Sequence, residues 1–104
     1  MTRRQEIAEI RSLLNLELSL ACTGRKIKDR PVYHIEYHSD KRRTFERRMI
    51  FKVSGRHQDE VRLAIHLAQE RLRAKSITGW DKWSGVTYSG PNKVPLYGLV
   101  KYVD

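Results

Sequence analysis

A chain of 104 residues with a formal charge of +9 is long enough for one domain, spanning 1–104, that buries roughly two thirds of the surface its unfolded form exposes. Its hydrophobic fraction of 39% and nine aromatic side chains argue against intrinsic disorder, although 32% of the residues are charged. The single cysteine, Cys22, excludes an intramolecular disulfide, and the absence of a long apolar run excludes a helical membrane span.

Thr2 and Gln5 fit a capping box, and Ile7, Ile10, Leu14, Leu18 and Ala21 then recur at helical spacing. Leu13, Leu16 and Leu20 widen that stripe, which predicts packing against more than one neighbour. Thr23-Gly24 is expected to end the helix, with Gly24 taking the left-handed position. A basic loop, closed by Pro31, follows.

Period-two alternation predicts two strands, 32–40 and 44–53. Tyr33, Ile35 and Tyr37 form one face of the first, and Phe45, Met49, Phe51 and Val53 the matching face of the second. Pairing His38 with Thr44 would set Glu36 against Glu46, a like-charge contact. The expected register therefore sets His38 opposite Glu46, Glu36 opposite Arg48, Ile35 opposite Met49 and Tyr33 opposite Phe51. It leaves Lys41, Arg42 and Arg43 as a three-residue tip.

A second helix is predicted over 57–75, with Val61, Ala64, Ile65, Ala68 and Leu72 as its apolar stripe. Asp59 and Glu60 lie where the helix dipole favours acids, and Arg71, Arg73 and Lys75 where it favours bases. Residues 76–85, with Trp80 and Trp83, read as a turn region. Two more strands, 86–88 and 96–103, are expected on either side of the loop 89–95, with Pro95 able to begin the last but not to sit inside a central one. The fold class is α+β, in the order α-β-β-α-β-β: two helices on one face of a four-stranded antiparallel sheet, which would bury every stripe at once. Leu14, Leu18, Ile35, Phe51, Ile65 and Leu72 are the expected core.

Charge gives the strongest functional signal. Residues 25–56 hold eleven bases and four acids, +7 of the total +9 in under a third of the chain. Such a concentration points to a polyanionic partner, nucleic acid above all, with DNA and RNA both open. The expected contacts are Arg25, Lys26, Lys28 and Arg30 from the loop, with Lys41, Arg42, Arg43, Arg47, Arg48 and Lys52 from the hairpin. Arginine forks match phosphate geometry and lysines add point charge. Alternation places Arg47 with Phe45 and Met49, on the apolar side of its strand.

The five tyrosines would suit stacking on bases if exposed, but Tyr33 and Tyr37 share a face with Ile35 and are assigned to the core. The four histidines do not make a metal site: four strand residues hold His34 and His38 about 13 Å apart, and His57 and His66 fall on different sides of their helix. No nucleophile–base pair or carboxylate cluster appears, so neither a cofactor nor catalysis is expected, and Cys22 reads as a packing residue. The start, Met-Thr-Arg-Arg-Gln-Glu, lacks the apolar stretch of a signal peptide. The sequence thus predicts a soluble, cytoplasmic, non-enzymatic accessory protein with no membrane partner. The competing expectation is a small inhibitor or adaptor docking on an acidic protein surface, anchored by an exposed Trp80 or Trp83.

Overall fold

A computed structural model describes residues 1–21, 33–40, 47–55 and 57–103. Along the chain lie helix α1 (Arg3–Ala21), strands β1 (Tyr33–Asp40) and β2 (Arg47–Gly55), helix α2 (Gln58–Ala74) and strands β3 (Asp81–Ser89) and β4 (Asn92–Val103). The class is α+β in the order α-β-β-α-β-β, with all four strands in one antiparallel sheet ordered β1-β2-β4-β3. Cys22, the expected helix stop Thr23-Gly24, the loop 25–31 and the tip 41–43 lie outside the described residues.

The N-terminus of α1 closes as its sequence dictates. The Thr2 backbone N donates to Gln5 Oε1 at 2.8 Å, and the Gln5 backbone N donates to Thr2 Oγ1 at 3.2 Å. Helix α2 starts one residue later than the periodicity suggested, because His57 takes a left-handed conformation with φ 58°. At its other end Ser76 (φ 61°) accepts the left-handed position. Its N–H bonds the Arg73 carbonyl and that of Ile77 the Leu72 carbonyl, at 3.0 and 2.9 Å, a Schellman closure made without glycine.

One core unites helix and sheet. Ile10, Leu14 and Leu18 of α1 and Val61, Ile65, Ala68 and Leu72 of α2 are buried in one cluster with Met49, Phe51, Val53 and Leu99. Five of the six expected core side chains are fully enclosed; Ile35, on the edge strand, is partly buried. Two polar groups sit among them. Glu17, 3% exposed, pairs with Arg71 across the helices, and Gln69 Nε2 donates to the Trp80 carbonyl at 2.9 Å. Both satisfy the rule that a buried polar group keeps a partner.

The expected register between β1 and β2 is wrong by four residues. Tyr33 opposes Gly55, Ile35 opposes Val53, Glu36 opposes Lys52 and Tyr37 opposes Phe51. A shift of four keeps both faces, so alternation could not detect it. Charge could not either, since Glu36 meets a cation in both registers. The expected pairing would have put Tyr37 opposite Arg47 on the apolar face. The observed one puts it against Phe51, ring centroids 5.1 Å apart.

The second hairpin is longer than expected. Strand β3 begins at Asp81, inside the presumed turn region, and β4 at Asn92. Only Gly90-Pro91 connects them, with Gly90 at φ 60°, the positive value that two-residue hairpin turns require. Polar residues on both faces of β3 (Asp81, Lys82, Ser84, Thr87) hide its period. Pro95 lies within β4, opposite Val86; β2 pairs with β4 only from Tyr97 onward, so Pro95 has a strand on one side alone.

Candidate nucleic-acid interface

Strand β2 turns Met49, Phe51 and Val53 into the core, and alternation sends Arg48, Ile50 and Lys52 to the opposite face. Register carries that face across the sheet. Glu36, Lys52, Gly98 and Trp83 form one row, and His38, Ile50, Val100 and Asp81 the next. Arg48 and Tyr102 pair in the row beyond.

Two cations on this face stand over aromatic rings. The Arg48 guanidinium carbon is 5.3 Å from the Tyr102 ring centroid, and Lys52 Nζ is 5.8 Å from that of Trp83. Tyr102 is 55% exposed, while Val100 beside it is only 4% exposed although it lies outside the core cluster.

The edge of the face carries a different pattern. His34 Nε2 and His38 Nε2 bond opposite oxygens of Glu36 at 3.0 and 3.1 Å. These bonds, His38 first and His34 second, lower the Glu36 carboxyl below its ordinary value of 4.5. The two imidazoles thus share one carboxylate, an arrangement that the 13 Å spacing of His34 and His38 did not suggest. Among the described residues, no three His, Cys, Asp or Glu side chains gather as a metal site.

Of the ten basic residues expected to bind, Arg25, Lys26, Lys28, Arg30, Lys41, Arg42 and Arg43 lie outside the described residues. Arg47 pairs with Val103 at the start of β2. Arg48 and Lys52 are brought to one face, half-buried, where Glu36 and Asp81 also lie. The described part of this face is therefore nearly balanced in charge, and the excess resides in the segments on either side of β1. Trp83 and Tyr102 are the surface residues that the sequence alone missed as partners of the basic strand. The signal was available only through the β2–β4–β3 register, which brings residues 48, 52, 83 and 102 together.

Trp80 has another role. It is 3% exposed, its ring lies 5.6 Å from that of Phe51, and its Nε1 donates to Glu6 Oε1 at 2.6 Å. Lys101 Nζ donates to the same oxygen at 2.9 Å. Burial raises the Glu6 pKa, but the Lys101 and Trp80 bonds outweigh it and hold the carboxyl below 4.5. Trp80 closes the core and offers no surface anchor.

A separate groove of about 900 Å³ runs between α2 and the β3–β4 hairpin, lined by Arg62, Leu63, His66, Lys82, Val86 and Tyr97 among others. Lys82 Nζ donates to His66 Nδ1 at 3.0 Å, and among the described residues Asp59 is the only carboxylate on its wall. No described helix is long and apolar enough to cross a membrane. Comparison with protein-family models, with curated proteins and with solved structures gave no match.

Proposed function

We propose that this chain is a small non-enzymatic nucleic-acid-binding protein that contacts phosphates through its β1–β2 hairpin and the preceding basic segment. The observation that carries this is the concentration of +7 in residues 25–56, because a polyanion gains most from charge gathered on one part of a small domain. Both helices then cover the Phe51 face of the sheet, and the Arg48–Lys52 face meets the ligand. Phosphate contacts of this kind give affinity without sequence preference.

The test is fluorescence anisotropy with four labelled ligands: single- and double-stranded DNA and RNA of mixed sequence. Binding of at least one, weakened steeply by added salt, supports the proposal. Failure to bind any of the four at low salt, together with co-purification of a single host protein, would replace it with an adaptor or inhibitor that docks on an acidic protein surface.

A further inference from the structure

The nucleic-acid reading leaves the form of the ligand open, and the Arg48–Lys52 face narrows it. The Trp83 side chain lies down on the sheet. A Cβ built on Gly85 would stand only 2.6 Å from two atoms of the indole ring, so glycine at 85 is what lets the ring settle against the strand. In the row that Trp83 shares, β4 contributes Gly98, again without a side chain. On this edge strand Trp83 is half-buried and so remains partly open to solvent. Four residues along β4 from Gly98, about 13 Å away, Tyr102 presents a second exposed ring. Each ring has its own cation within 6 Å, Lys52 for Trp83 and Arg48 for Tyr102.

An aromatic ring paired with a flexible cation matches the two halves of a nucleotide. At Trp83 a base can stack on the ring while Lys52, whose side chain is long and flexible, reaches from the ring to the phosphate. Bases inside a duplex are stacked on one another and have no faces to offer an aromatic ring. We infer, resting on the nucleic-acid proposal, that this face is a stacking platform for single-stranded nucleic acid. Trp83 and Tyr102 receive two bases of one strand, and Lys52 and Arg48 hold their phosphates.

Tryptophan emission offers a direct readout, because Trp80 is enclosed and Trp83 is not. Titration with an eight-residue deoxythymidine oligomer is expected to quench the Trp83 emission, and Trp83→Phe, which leaves Trp80 alone, should abolish the quenching. Trp83→Ala and Tyr102→Ala are each expected to weaken single-strand binding about 5- to 100-fold, while duplex affinity changes less than twofold. Trp83→Phe, which keeps a ring on a folded sheet, should retain most of the affinity. Equal loss for Trp83→Phe and Trp83→Ala would overturn the stacking role. Binding of single strand and duplex with equal affinity and no quenching would overturn the platform while leaving phosphate binding intact. Binding of neither ligand would overturn both proposals together.

Discussion

Gly98 is the position at which the sheet tolerates least. It sits in β4 opposite Lys52 of β2, the other central strand, and a Cβ built on it would stand 1.7 Å from the Phe51 carbonyl oxygen and 2.9 Å from the carbonyl carbon. Real Cβ contacts do not fall below 3.0 Å, so Gly98→Ala must drive β2 and β4 apart by more than an ångström. The obstacle is backbone, which no rotamer change relieves. Loss of the two neighbouring ladder bonds costs about 1 kcal/mol each, and overpacking adds about 1–3 kcal/mol. The sum, about 3–5 kcal/mol, approaches the whole stability of a small domain. Urea titration followed by circular dichroism should show a lower midpoint with little change in slope, and melting should fall by on the order of 20 °C. Gly90→Ala is the control. Nothing lies within 4 Å of its Cβ, so only the strain of its positive φ remains, about 1–2 kcal/mol. A loss below about 1 kcal/mol for Gly98→Ala would refute the close β2–β4 approach and, with it, the strand order.

The same protein permits three cheaper tests. Phe51→Ala, at a fully enclosed position, should cost about 3–5 kcal/mol, and Ile35→Ala on the half-covered edge strand measurably less, both read by chemical denaturation. Ser76→Gly should raise stability by up to about 1 kcal/mol, since glycine takes the left-handed helix stop without strain. The lowered pKa of Glu6 means that its contribution is present above its ordinary value of 4.5 and is lost as the pH falls through its folded value. Glu6→Gln should therefore flatten stability against pH below about 4.5, and an unchanged acid limb would contradict the Lys101–Glu6–Trp80 arrangement.

Element type and order were legible because hydrophobic period and helix signals agree: the Thr2–Gln5 box and the Val61-to-Leu72 stripe act locally, within one helix. Register was not legible. Two alignments of β1 on β2 differing by four residues have the same alternation and give Glu36 a cation in each. What separates them is the partner of Tyr37, Phe51 in one and Arg47 in the other, and that preference depends on a core assembled from distant parts of the chain. The helix stop at Ser76 was hidden for a different reason, since its left-handed residue is not glycine. Arg48 and Lys52 were legible as cations, but their rings were not. Tyr102 and Trp83 reach them only through the order β2-β4-β3, which no local pattern encodes.

The claim that the basic hairpin binds nucleic-acid phosphates is tested most directly by salt dependence, measured by anisotropy on a mixed-sequence single strand. Wild type should show log affinity falling linearly with log salt concentration, and Arg42→Ala/Arg43→Ala should flatten the slope by about 1.4 units, roughly 0.7 per lost contact. Affinity should fall alike for every sequence. An unchanged affinity and slope in a folded double variant would make the hairpin a solvated surface and contradict the account.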